Sequence, residues 1–467
     1  MSTEWRGDMA LPDVIEIVPL DKPVQAQITV PGSKSITNRA LILAALAEGE
    51  VILEGALWSE DTQIMVECLR ELGFMVDVQP DPRETSNRTI TVYGKGGTVP
   101  PGGTERQPLE LFVGNAGTAA RFLSAFVCLG RGVYRLHGVP RMHERPQAAL
   151  FQALRQLGYR VESENGNDKL PARIFGGQSQ QTAAGMRSCS VSVEESSQFA
   201  SALLLSAAKG SWHVEVTGEN SEESPYVAMT LKLIDVFPHR GGRFLVEPDA
   251  SSGSYFWGAS WLLAEYDRQG FVKQARKNRN PDEPVSIPPE VITQLVVRQW
   301  PDTNWQIDSQ LTSLCRLRIP AELSRKHDLG DSIMTVIALS PVLSSAPVRF
   351  TDLGRLRVQE CERVFALRTE LTKCGAKVIE EGDTLIVHPS ELHGAEIETY
   401  NDHRMAMCFA ILGLKVPGIK IKNPACVKKT FPNFFQKLAA PPPRGLGATI
   451  RDAATGRVLR EEELFAD

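Results

Sequence analysis

No apolar run in this 467-residue sequence approaches the roughly 20 residues that a bilayer-spanning helix needs, so a membrane protein is not expected. The eight cysteines (Cys68, Cys128, Cys189, Cys315, Cys361, Cys374, Cys408 and Cys426) form no CxxC pair and have no histidine at metal-ligand spacing. They read as reduced thiols of a cytoplasmic protein, with no bound metal expected. An excess of basic charge is missing too: 51 Lys and Arg stand against 56 Asp and Glu, a net charge of -5 with pI ≈ 6.0. That excludes an overall field suited to nucleic acid or an anionic membrane, and makes any anion binding local. The first residues carry Glu4, Asp8 and Asp13 without a long apolar stretch, which argues against a signal or transit peptide. Finally, the glycine that a P-loop requires directly before its lysine is absent, because Ser33 precedes Lys34, so nucleotide hydrolysis is not indicated.

What is present is a globular composition, 42% hydrophobic and 23% charged, long enough for two large domains. A unit recurs in which an amphipathic helix, a small or Gly-containing turn and a short strand follow one another. It is clearest at 68–78, 153–163 and 370–380, and weaker at 231–247, 291–307 and 431–450. Solenoid repeats are usually about 20 to 50 residues long, and these are more widely spaced, so the pattern predicts α/β modules packed in two groups of three. Helix-Gly-strand is also ordinary α/β punctuation. The polar stretch Arg268 to Pro289 reads as an exposed excursion, and the chain beyond Pro441-Pro442-Pro443 as a peripheral tail.

Chemistry concentrates at helix starts. In Pro31-Gly32-Ser33-Lys34-Ser35-Ile36-Thr37-Asn38-Arg39, a wheel of about 100° per residue puts Lys34, Ser35, Asn38 and Arg39 on one arc and the apolar residues on another. The expectation is one packed face and one open to a phosphate or carboxylate, with the helix dipole adding to the two cations; a solvated helix start fits the same residues. Gly114-Asn115-Ala116-Gly117, leading into Arg121, offers close access to backbone N-H groups. Arg145 stands before Pro146, where Glu144 could orient it or merely form a surface pair. Ser196, Ser197 and Gln198 precede an apolar helix. Asp331, an Asp at a helix start, is also the ordinary cap residue. Glu360 and Arg363 share a face at i, i+3 of an expected helix, His403 and Arg404 open another, and Lys429 precedes the last Phe-rich helix. Each alone suits a structural role. Together they place a Lys or Arg at five or more helix starts in an acidic chain, as an enzyme with two strongly anionic substrates requires.

Taken in order, PGSKSITNRALILAALA, GNAGTAAR, MHERP, SSQF, SPYV, EPDASSGSYF, DSIMT, RVQECER, TYNDHRMAM and KTFPNFF resemble the signatures of the enolpyruvyl transferase family that acts on shikimate 3-phosphate. The resemblance spans about residues 31 to 436. It implies an α/β (α+β) fold of two domains, each of three βαβαββ modules in an inside-out α/β barrel, joined by a double crossover near Val30 to Gly32 and Val246 to Asp249. The expected domains are 32–248, on the shikimate 3-phosphate side, and 1–31 plus 249–440, with 441–467 as the tail. The implied reaction moves the enolpyruvyl group of phosphoenolpyruvate to the 5-hydroxyl of shikimate 3-phosphate through a tetrahedral intermediate, without cofactor or metal, in a cytoplasmic monomer. By matching position, Lys34, Asp331 and Glu360 are catalytic. Shikimate 3-phosphate falls to Lys34, Ser35, Arg39, Ser196, Ser197, Gln198, Ser224, Tyr226, Asp331, Arg355 and Gln359. Phosphoenolpyruvate falls to Lys34, Asn115, Gly117, Arg145, Gln198, Glu360, Arg363, His403, Arg404 and Lys429. The bare Gly117 leaves the space in which the inhibitor glyphosate would sit.

Several positions depart from the family pattern. Gln359 stands where a lysine is usual and Arg355 where an asparagine is usual, so Arg355 is expected to supply the missing charge. Phe122 replaces a common proline, and either Ser221 or Ser224 could meet the substrate phosphate. The related transferase that uses a UDP-sugar normally carries a cysteine in the segment that reads GNAGTAAR here. A relative without catalysis would not be expected to keep Lys34, Asp331 and Glu360 together.

Overall fold

The computed structural model describes residues 11–177, 186–218, 225–276, 285–315 and 318–466. The chain divides into two compact units, one of Pro31–Pro248 with Thr303–Gln306, the other of Met1–Val30, Asp249–Asp302 and Ile307–Asp467. Each has its own hydrophobic core. The short return of Thr303–Gln306 to the first unit, against its expected place in 249–440, is anchored by Gln306 Nε2, donating to Glu247 Oε2 (3.1 Å) and the Pro248 carbonyl (2.9 Å).

In the Pro31–Pro248 unit two four-stranded mixed sheets, ordered Gly242–Leu245, Glu48–Leu57, Asn87–Lys95, Val76–Pro80 and Leu109–Phe112, Gly132–His137, Ala172–Gly176, Arg160–Ser163, accompany a parallel pair, Arg187–Ser192 with Trp212–Thr217. Against them pack the helices Lys34–Leu46, Gly117–Phe126 and Ser197–Gly210, which touch one another. Their sequences are apolar or small almost all round, the composition of a helix buried on every side. The other unit repeats this plan. Its sheets run Glu396–Ile397, Lys420–Lys422, Val14–Ile17, Ile450–Asp452 and Glu322–Ser324, Val348–Thr351, Thr384–Val387, Val378–Glu381, with a parallel pair of Gln294–Val297 and Gln25–Ile28. The mutually packed helices are Ala250–Arg276, Ile333–Leu343 and His403–Gly413.

The helix-turn-strand rhythm holds at the three clearest copies, where Gly73, Gly158 and Gly375 take φ of 84°, 87° and 94° and turn each helix into its strand. One copy reads differently: at 291–307 a strand, Gln294–Val297, comes first, because alternating Leu295 and Val297 bury one face against Gln25–Ile28. Residues 441–467 are not a peripheral tail. Ile450–Asp452 pairs antiparallel with Val14–Ile17, and Leu446, Leu459 and Leu464 enter the core, so apolar spacing outweighs the proline run. The expected excursion from Arg268 begins as the exposed last turns of the helix Ala250–Arg276; residues 277–284 lie outside the described set. Among the described residues no helix is long and apolar enough to cross a membrane.

Candidate active site

In the Pro31–Pro248 unit the site begins at Lys34, the first residue of its helix, whose Nζ lies 3.1 Å from the buried carboxylate of Asp61. Only the first turn of the expected open face is accessible: Lys34 and Ser35 are partly exposed, whereas everything from Ile36 to Leu46, Asn38 and Arg39 included, is buried because neighbouring helices cover both arcs. Arg39 is accordingly held by protein rather than presented to solvent. Its Nε donates to Thr230 Oγ1 (2.7 Å), Nη1 to the Ser35 carbonyl (2.9 Å), and Nη2 to Ser201 Oγ (3.0 Å) and the Tyr226 carbonyl (3.4 Å). Burial lowers its pKa to about 10, and Phe122, in the helix Gly117–Phe126, puts its ring 5.2 Å from the guanidinium. Ser196 caps the next helix, accepting from the Gln198 N-H (3.3 Å), and Ser197 is buried beside it. Ser224 and Ser221 lie outside the described residues.

Two further cations meet over Gly117. A Cβ there would lie 2.4 Å from Arg121 Nη1 and 2.6 Å from Arg145 Nη2, so only glycine lets both guanidinium groups approach the backbone. Arg121 donates to Gln198 Oε1 (3.1 Å), while Gln198 Nε2 donates to Thr118 Oγ1 (3.3 Å). Arg145, 7% exposed, donates to the Asn115 carbonyl at 3.0 Å and to its Oδ1 at 3.5 Å. Among the described residues it has no carboxylate partner, and its buried Nε has no acceptor. Glu144 does not orient it, pairing instead with exposed Arg141 (2.6 Å). A buried guanidinium without a counter-charge is costly, and an anionic ligand removes that cost. Gly117→Ala is expected to fold normally, since only the flexible ends of two arginines must move. Its KM for an anionic substrate should rise about 10- to 100-fold, as steady-state kinetics at fixed second substrate would show.

The other unit is built from paired charges. Arg363, 1% exposed and first in its helix, contacts Asp402 through Nε (2.6 Å), Glu360 through Nη2 (2.8 Å) and Asp331 through Nη1 (3.7 Å). Glu360 precedes this helix and is not within it, because Glu362 caps the helix by accepting from Phe365 N-H. The contact with Arg363 survives. Gln359 accepts from Arg363 Nη1 through its side-chain oxygen, a role that a lysine could not fill. Arg355 sits half-buried in the short turn Gly354–Val358. Asp402 caps the next helix, accepting from Arg404 N-H (2.8 Å), with buried His403 beside it. Arg404 reaches Ser251 Oγ (2.5 Å) and Asp331 Oδ2 (3.4 Å), and Lys429 lies 3.8 Å from Glu360.

Asp331 is gripped more firmly by a residue that local reading missed, Arg325, at 2.5 Å and 3.1 Å. Burial pushes its carboxyl up, but Arg325, Arg404 and Arg363 outweigh this and hold it well below the usual carboxylate range. Asp308, also unforeseen, is the counterpart: burial first, then the charge of Asp331, raises it to about 7. Its Oδ1 accepts the Ser332 N-H (2.6 Å). The raised pKa means that Asp308 contributes stability at low pH, which is lost as pH climbs from the unfolded value near 4 through 7. Asp308→Asn keeps the acceptor and removes the charge. It is expected to be more stable than the parent at pH 8 by on the order of 2 kcal/mol and close to it at pH 4, read by denaturant melts.

Each unit thus places buried or half-buried cations in or beside helix starts, an arrangement that suits small anionic ligands. Solved structures place the fold among the enolpyruvyl transferases. EPSP synthase of Acinetobacter baumannii superposes with a TM-score of 0.61 at 19% identity over 94% of this chain and 99% of that one. The enolpyruvyl transferase NikO of Streptomyces tendae gives 0.60 at 16% over 96% and 100%. The family profile "EPSP synthase (3-phosphoshikimate 1-carboxyvinyltransferase)" matches residues 19–239 and 238–438. Curated 3-phosphoshikimate 1-carboxyvinyltransferases of Trichormus variabilis, 37% identical over 445 residues, and Opitutus terrae, 36% over 465, cover 91% and 92% of this chain and 98% of their own lengths. The chain belongs to the EPSP synthase family.

Proposed function

We propose that this chain joins the enolpyruvyl group of phosphoenolpyruvate to the 5-hydroxyl of shikimate 3-phosphate, yielding 5-enolpyruvylshikimate 3-phosphate and phosphate on the route to aromatic amino acids. The observation that carries this reading is the pair of buried guanidinium groups over Gly117, with Arg145 lacking any carboxylate partner among the described residues: a site prepared for the phosphate or carboxylate of phosphoenolpyruvate. Arg363, Arg404 and Lys429 take the remaining anionic groups. Lys34 touches both substrates, and Ser35, Ser196, Ser197, Gln198 and Tyr226 hold shikimate 3-phosphate, with Arg39 fixing the Ser201 and Thr230 hydroxyls behind them. Asp331 takes the 5-hydroxyl proton. Because three arginines keep it ionised, it accepts that proton only as the C-O bond to C2 forms and the hydroxyl becomes acidic. Glu360 serves the methylene, delivering a proton to C3 as the tetrahedral intermediate forms and recovering it as phosphate leaves.

A cytoplasmic monomer, inhibited by glyphosate in the space over Gly117, completes the proposal; its eight free thiols suit a reducing compartment. The test is phosphate release from phosphoenolpyruvate, required to depend on shikimate 3-phosphate. A purified, folded chain that releases none with both present rules the reading out.

A further inference from the structure

Asp331 could present either carboxylate oxygen, and the two are not equivalent. Oδ1 receives Arg325 Nε at 3.1 Å and Nη2 at 2.5 Å, whereas Oδ2 has only longer ion-pair distances, 3.4 Å to Arg404 Nη2 and 3.7 Å to Arg363 Nη1. Arg325 is itself held. It is 7% exposed and opens the single wide turn Arg325–Leu329, which Ser324 caps by accepting from the N-H groups of Lys326 (3.1 Å) and His327 (3.0 Å). Asp328 Oδ2 closes that turn by accepting from Ser324 N-H at 2.7 Å. On the far side, Asp308 accepts the Ser332 N-H, and Gly330 adopts φ +55°, where an added Cβ would lie 3.0 Å from Asp308 Oδ2. Asp331 is therefore fixed from both flanks, and among the described residues Oδ1 alone of its two oxygens receives a hydrogen bond from a neighbouring side chain.

We propose that Arg325 is a positioning residue for the transfer: by pinning Oδ1 of Asp331 through two N-H groups it makes Oδ2 the atom that meets the substrate hydroxyl. This rests on the reading of Asp331 as proton acceptor. Arg325 also supplies Asp331 with a counter-charge of its own, so that Arg404, 3.4 Å from Oδ2, is not its main partner. The charged groups that face Asp331 are Arg325 from its turn, Arg363 from the helix it opens, Arg404 from the helix behind and Asp308 from the turn Ile307–Gln310. Tyr255 and Asp249 act on Arg404, and Asp402 and then Glu360 on Arg363.

Arg325→Gln and Arg325→Lys test this with two readouts: kcat and KM for shikimate 3-phosphate-dependent phosphate release between pH 5 and 9, and the Asp331 carboxyl titration by 13C NMR, assigned through its loss in Asp331→Asn. Arg325→Gln should lower kcat about 10- to 100-fold and leave KM within about threefold, while Asp331 titrates at a higher pH than in the parent. Arg325→Lys, a point charge without the fork, should return the titration towards that of the parent but leave kcat depressed. An unchanged kcat and titration in Arg325→Gln overturn the proposal, as does full recovery of kcat by Arg325→Lys. If Arg325→Gln does not fold, the lysine variant decides alone. A parent without phosphate release would defeat the catalytic reading instead, and the titration would still report whether Arg325 holds Asp331.

Discussion

Asp331→Asn lowers kcat for phosphate release by about 10³- to 10⁴-fold, with shikimate 3-phosphate binding by calorimetry changed far less. The amide keeps the shape of the carboxylate but cannot take a proton, and it leaves Arg325, Arg363 and Arg404 without the charge that all three face. A cluster of that kind loses stability as well: breaking one member of a buried charge network costs about 3 to 5 kcal/mol. Kinetics are therefore to be read well below the melting temperature of the variant, which circular dichroism supplies. A kcat within tenfold of the parent would remove Asp331 from the chemistry.

Arg145→Gln raises KM for phosphoenolpyruvate by about 10²- to 10³-fold, the loss of a charge-assisted pair of hydrogen bonds in a buried site. Binding of shikimate 3-phosphate should stay within a few-fold. Arg141→Gln is the internal control, in the short helix Pro140–Glu144 that Arg145 directly follows. Its pair with Glu144 is exposed, and such pairs contribute at most about 1 kcal/mol, so its kinetics should match the parent. Equal effects of the two substitutions would mean that the burial of Arg145 has no functional meaning.

Much of the candidate site is visible along the chain because helix starts are local objects. Lys34, Gly117, Ser196, Asp331, Arg363, Arg404 and Lys429 each stand in or beside a short run that ends a turn and begins an apolar helix. The partners that tune them are not visible in that way. Arg325 is separated from Asp331 by a wide turn, and Asp308 reaches the Ser332 N-H from a different segment. Arg39 finds Ser201 and Thr230 across two other helices. A helical wheel shows which residues of Lys34–Leu46 share an arc, but it is silent on whether other helices cover that arc, and here two of them meet Arg39.

Residues 441–467 show the same limit from another side. Three prolines correctly end the helix Phe434–Ala439, yet the chain beyond is drawn into the sheet by the open edge of Val14–Ile17, a strand more than 400 positions away in sequence. The sequence by itself determined the repeating helix-turn-strand modules, the glycines at their turns, the family and the helix-start cations, because each depends on residues within one or two turns of one another. Tertiary structure alone decided which cations meet a carboxylate among the described residues, and how firmly Asp331 holds its charge. Those properties are set by burial and by charges that only the packing of distant segments brings within about 4 Å.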